Sequence, residues 1–248
     1  MTSTDRINIK AGAKAQILDH FSFYLLLSIL WLALSWIGGE ISSRNIVRFQ
    51  EAFLNNNPVT MTLSFTMIFT FVAGILRAGA QLTMIDIDRG VVEGYTEPVQ
   101  RSFKLFEKGQ YFLGWLFISI LTAIFVALWS LLLVIPGIIK GYAYSQAFYI
   151  YRDAFDQGHP IGALEAITQS REMMDGSKGF LFVMDLSFIL WFMLSGLLMG
   201  LPGLFVMPYY DMSRAKFYNQ LVVMHHTPRG DDADDEPADD DDSHVSID

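Results

Sequence analysis

YFLGWLFISILTAIFVALWSLLLVIPGIIKGYAYSQAFYIYRDAF, residues 111–155, decides the fold. Its first 25 residues carry no charged side chain. As one helix they are long enough to cross the hydrocarbon core of a bilayer, which takes about 20 apolar residues at about 1.5 Å each. Pro136 and Gly137 then interrupt the run. Proline cannot continue the helical hydrogen-bond ladder and glycine accepts the backbone of a tight turn, so little chain is left for anything but a return. The returning segment, residues 138–155, contains Tyr142, Tyr144, Ser145 and Gln146. Their polar groups suit contact with neighbouring helices better than contact with lipid. The stretch therefore predicts a helical hairpin in a membrane.

Leu201-Pro202-Gly203 repeats the same punctuation between residues 180–201 and 204–224, and residues 21–37 and 59–87 are apolar runs of spanning length. Within a bilayer every backbone amide needs an internal partner, so each run is read as a helix. The expected fold is all-α: a polytopic membrane helical bundle of six transmembrane helices, about 21–37, 59–87, 111–135, 138–155, 180–201 and 204–224, arranged as three hairpins. Residues 21–37 could alternatively be a signal peptide ending near Ala33-Leu34-Ser35, but the polar segment before them is too long and the apolar run continues past that point.

A shorter amphipathic segment precedes each hairpin. Residues 9–19 lead the first; residues 96–108 place Val99, Phe103 and Phe106 on one face; residues 160–175 place Leu164, Ile167 and Met174 on one face, with Gly176 suited to the stop. These segments either lie on the membrane surface or pack against the bundle. The unit of amphipathic helix, span, turn and span thus occurs three times, and weak identity supports duplication. An offset of 63 residues aligns Gly74, Ala80, Ile87 and Arg89 with Gly137, Ala143, Ile150 and Arg152; an offset of 66 aligns Pro136, Gly137 and Tyr144 with Pro202, Gly203 and Tyr210.

Short cytoplasmic loops carry the excess of Lys and Arg, and six spans divide these residues 13 inside to 3 outside, the latter Arg44, Arg48 and Lys140. Both termini are then cytoplasmic. Trp36 and Trp129 fall at the outer interface, Tyr24 and Tyr111 at the inner one.

Composition agrees with this class: 52% of the 248 residues are hydrophobic and 17% charged. The net charge of −9 belongs to the end of the chain, because ten of the 26 acids lie in the last 18 residues and 16 remain against 17 basic residues elsewhere. Residues 230–248 are expected to be a disordered acidic tail. No basic patch for nucleic acid remains. Without cysteine there is no disulfide, thiolate nucleophile or cysteine-ligated metal. His225 and His226 point apart on a helix and read as solvated, and no metal site, cofactor site or catalytic constellation is expected.

Ionisable residues at membrane depth are costly and become the candidate functional positions: Arg77, Asp185, Asp211 and Arg214. Asp185 and Arg214 lie at similar depth on consecutive antiparallel helices and are expected to pair, with Asp211 the rival partner for Arg214. Structural pairing, a substrate path and catalysis are ranked in that order.

Three blocks occur in order: WSLLLVIPGIIKGYAYS at residues 129–145, EAITQSREMMDGSKGFLFVMDLSFILWF at 165–192 and PYYDMSRAKFYNQL at 208–221. Together they resemble the bacterial integral-membrane family known as domain of unknown function 975, over roughly residues 73–221. The resemblance implies a helical protein of the bacterial cell membrane, distantly similar to membrane domains attached to glycerophosphodiester phosphodiesterases. It supplies no catalytic residues. The expected function is a membrane-embedded scaffold or regulator of envelope processes, with the bilayer and an unidentified protein as partners. The alternative is a transporter or lipid-moving protein with a polar intramembrane path; an intramembrane enzyme ranks last.

Overall fold

The computed structural model describes residues 1–55, 63–92, 94–198 and 200–226. Among these residues the chain is all helical. In order come α1 (Ser3–Asp19), α2 (Phe21–Leu54), α3 (Leu63–Asp88), α4 (Pro98–Arg101), a single 3-10 turn (Lys104–Phe106), α5 (Gly109–Leu132), α6 (Val134–Tyr144), α7 (Ala147–Asp156), α8 (Ala163–Met173), α9 (Lys178–Leu197) and α10 (Gly203–His226). Four helices are long and apolar enough to cross a membrane: Phe21–Leu54, Thr66–Asp88, Gly109–Leu132 and Lys178–Leu197. The expected acidic tail, 230–248, and the first residues of the 59–87 span lie outside the described residues.

Helix α3 is the centre. From Ala73 to Ile87 most of its side chains are buried whichever way they point, as a helix surrounded by other helices requires. It packs along α2 and α10, while α1 crosses α10, and Tyr24, Leu27, Leu82, Ile85, Phe188, Phe217 and Tyr218 fill the space between them. Helices α5 to α8 form a second group around Ile118, Ala147, Ala166 and Ile167. α5 keeps most of its apolar surface outside, up to Leu131 at 86% exposure, a surface suited to lipid.

Local chemistry sets several ends. Thr2 and Asp5 cap α1 reciprocally: the Asp5 amide donates to Thr2 Oγ1 and the Thr2 amide to Asp5 Oδ2 at 2.6 Å. The link from α3 to α5 folds back across α3, and Thr83 Oγ1 donates to the Arg101 carbonyl at 3.1 Å. Gly79 makes this crossing feasible, because a Cβ there would collide with the Ser102 carbonyl.

The structure corrects several boundaries. Pro136 and Gly137 do not form the turn; Leu133, in extended conformation, does, and both residues sit in the first turns of α6, where proline's missing N–H costs little. The expected 138–155 helix is divided at Ser145 and Gln146, where the Gln146 amide turns to Ser170 Oγ at 3.2 Å. The amphipathic helix expected at 96–108 is two short pieces, with Val99, Phe103 and Phe106 exposed and Leu105 buried. In α8, Ile167 and the adjoining Met174 are buried but Leu164 is exposed. The first long helix does not end near residue 37 but continues to Leu54. Tyr24 and Tyr111 are buried among helices, whereas Trp36 and Trp129 are exposed. At Pro202-Gly203 the turn occupies the residues just before α10, as expected.

Gly79→Ala should lower the thermal unfolding temperature in detergent, at a cost of about 1–3 kcal/mol, because the obstructing atoms are backbone. Gly39→Ala, with open space around it, should be neutral or slightly stabilising through helix propensity. Equal effects of the two changes would contradict the close crossing.

Candidate functional site

All four ionisable residues singled out from the sequence lie on α3, α9 and α10, and they form two pairs. On α3, Arg77 Nη2 donates to Asp211 Oδ1 at 2.7 Å, and its Nε lies 3.2 Å from both carboxylate oxygens. Gln81, one turn further along α3, donates to the same Oδ1 at 3.1 Å and accepts from the Tyr149 hydroxyl at 2.8 Å. Between α9 and α10, Arg214 Nη1 reaches Asp185 Oδ2 at 3.3 Å and the Tyr210 hydroxyl at 2.7 Å. The structure thus gives Arg214 the partner expected first, and Asp211, the rival, goes to Arg77.

The pairs are asymmetric. Asp211 is sealed, with no exposed side-chain surface, while the side chain of Arg77 remains 35% exposed. Its guanidinium lies 4.9 Å from the Trp31 ring centroid and 5.9 Å from that of Tyr210, distances at which aromatic faces stabilise a cation. Arg77 and Arg214 both line one cavity of about 560 Å³, together with Gln81, Trp115, Tyr149 and Tyr210. The cavity sits where α5 stands away from α3 and α10, bridged by Trp115 against Gly74. Its carboxylates lie behind the arginines and do not line it.

Towards the C-terminal end of α3, further ion pairs join the two helical groups. Arg152 of α7, 5% exposed, lies 2.6 Å from Asp86 of α3, and its Nε is 3.1 Å from Asp153, close enough to attract though not aligned as a hydrogen bond. Arg89 donates to both oxygens of Asp153, at 3.0 and 2.7 Å, and Tyr218 donates to the same carboxylate at 2.7 Å. Lys104 bonds Asp86, and Lys216 bonds Asp88. From sequence alone these cations read as loop charges, and Asp86 is not among the candidates. The signal was available, since Asp86 falls within the 59–87 span.

Residues 130–224 match the family model described as Protein of unknown function (DUF975). That stretch contains Asp185, Asp211, Arg214 and the α7 charges, but not Arg77 or Asp86. No curated protein and no solved structure matches the chain.

Arg77→Met should cost about 3–5 kcal/mol in thermal unfolding, because it leaves Asp211 sealed without its cation. Asp211→Asn should cost less, since the guanidinium it releases still reaches the cavity. Equal losses would contradict the asymmetry.

A second test concerns Asp156 at the end of α7. Burial alone would raise its carboxyl, but hydrogen bonds from Lys108 and Tyr111 hold it below the usual carboxylate range. The folded value is the lower one, so the stabilisation is present above the unfolded value of about 4 and fades as pH falls through the folded value. In Asp156→Asn the unfolding temperature should depend less steeply on pH between about 5 and 2.

Proposed function

We propose that the chain is a six-span protein of the bacterial cell membrane, with both termini cytoplasmic, and that it moves a solute or lipid through the cleft holding Arg77 and Arg214. In this reading α6 with α7, and α10, complete three hairpins with the four long apolar helices. Their polar side chains support that role, because they turn inward: Gln146 and Arg152 on the α6–α7 segment, and Asp211 and Ser213 on α10, are all buried. Arg89 and Arg152, which the 63-residue offset aligns, each pair with a carboxylate on the other's segment, an arrangement that fits duplicated hairpins.

The observation that carries the transport reading is the cleft itself. Along the helix axes, the ion pairs of Asp86, Arg89, Arg152 and Asp153 lie beyond it towards the end of α3, while Gly74, Phe192 and Met207 mark its opposite reach. A pocket lined by arginines between helices is where transport folds hold their substrates, and it supports this reading. A scaffold or regulator, ranked first from sequence, has no need of two guanidiniums facing an open cleft between helices.

Topology is tested with single cysteines in this cysteine-free chain. With an impermeant thiol reagent added to intact cells, Asn55→Cys should react and Glu165→Cys, on exposed α8, should not. Reaction at position 165 would remove the six-span arrangement. For transport, purified protein in liposomes should accelerate scrambling of labelled phospholipid or efflux of an entrapped anion, and Arg214→Gln should slow it. Rates equal to protein-free vesicles, with a protein partner copurifying from native membranes, would return the scaffold reading.

A further inference from the structure

We infer that the cavity between α3, α5 and α10 binds an anionic oxygen group, a phosphate or carboxylate, held between the guanidiniums of Arg77 and Arg214. This rests on the cleft described above and names the chemistry of its ligand.

The cavity is faced by positive charge. Both arginines line the cavity, and their carboxylate partners do not. Arg77 bonds Asp211 through Nε and Nη2, and Arg214 bonds Asp185 and Tyr210 through Nη1. Among the described residues, Arg77 Nη1 and Arg214 Nη2 make no hydrogen bond, which leaves each guanidinium an N–H edge free for a ligand. Guanidinium edges match the oxygens of phosphate and carboxylate in both charge and planar spacing.

The rest of the lining is neutral. The Tyr149 hydroxyl donates to Gln81 and the Tyr210 hydroxyl accepts from Arg214, and no carboxylate lines the space to repel an anion. Trp115, Phe192 and Met207 also line it, an apolar surface that suits the acyl chain of an anionic amphiphile and that a small inorganic anion would leave unused. A cavity of about 560 Å³ is within the usual range for a small-molecule site and accommodates a headgroup with the first part of its chain.

Trp115 provides the reporter. Protein is placed in phosphatidylcholine nanodiscs containing a minor fraction of lipid brominated on its acyl chains, with either a phosphatidylglycerol or a phosphatidylcholine headgroup. Fluorescence of Trp115→Phe is subtracted to isolate the signal at that site. Brominated phosphatidylglycerol should quench Trp115 at about tenfold lower mole fraction than its phosphatidylcholine counterpart. That preference should disappear in Arg214→Gln and persist in Arg214→Lys, which keeps the charge. In a parallel arm, inorganic phosphate is titrated into detergent-solubilised protein. A saturable change in Trp115 emission, absent in Arg214→Gln, identifies a free anion as the ligand instead of a lipid headgroup, and either result supports the site.

Equal quenching by both lipids together with no response to phosphate would overturn the inference. Anion binding without scrambling or efflux would leave the site standing and remove the transport reading. Transport that persists in Arg214→Gln, with the Trp115 binding signals lost, would likewise leave the site standing and separate it from transport.

Discussion

A guanidinium enclosed by helices has to find its counter-charge within the protein, and Arg152 sets the terms for everything around it. Asp86, Asp153 and Asp156 all approach its nitrogens, at 2.6, 3.1 and 3.6 Å. Pairing of this kind adds little net stability over an apolar core, but loss of one partner strands a charge at high cost. Its value is positional: α7 can meet α3 only where Asp86 faces Arg152. Once that register is set, Arg89 meets Asp153 and Asn219, Lys216 meets Asp88, and Tyr149 comes level with Gln81. The arginine cavity lies about two helical turns along α3 from this junction, between helices that it holds together.

Cost explains why cavity and ion pairs occur together. Arg77 and Arg214 could not both sit unpaired inside an apolar bundle, and Asp211 and Asp185 stabilise them from behind. A fully enclosed pair would have no capacity for a ligand. Here the carboxylate of Asp211 is fully buried while its arginine reaches the open space, so the protein satisfies the charge and still presents it.

Much of this was legible in the sequence because it depends on composition over long windows. Absence of charge across residues 111–135 is enough to specify a long apolar helix, and ionisable residues inside such runs identify the four members of the two pairs. Helix rotation is a different matter. Whether Asp211 would face Arg77 or Arg214 depends on how α10 rolls against α3 and α9, and the apolar periodicity of α10 is too weak to fix that; nor can it reveal that α5 stands off from α3. Pro136 misled for a related reason. Proline marks a helix that cannot continue from before it equally with one that begins just ahead of it, and only the extended backbone at Leu133 distinguishes the two. Arg152 reads as a loop charge and Asp86 escapes notice because both lie near span ends, where an ion pair between helices and a solvated surface look alike.

Helix α2 has 34 residues and α9 has 20, so at 1.5 Å per residue the first is about 51 Å long and the second about 30 Å. A hydrocarbon core is about 30 Å thick. α2 therefore has slack and α9 has none. If the host bilayer thickens, α2 simply immerses more of its Gly39–Leu54 half, whereas α9 must straighten, draw the lipid inwards or slide against its neighbours, each costing fractions of a kcal/mol per Å. Since α9 carries Asp185, bilayer thickness bears first on the Asp185 side of the Arg214 pair.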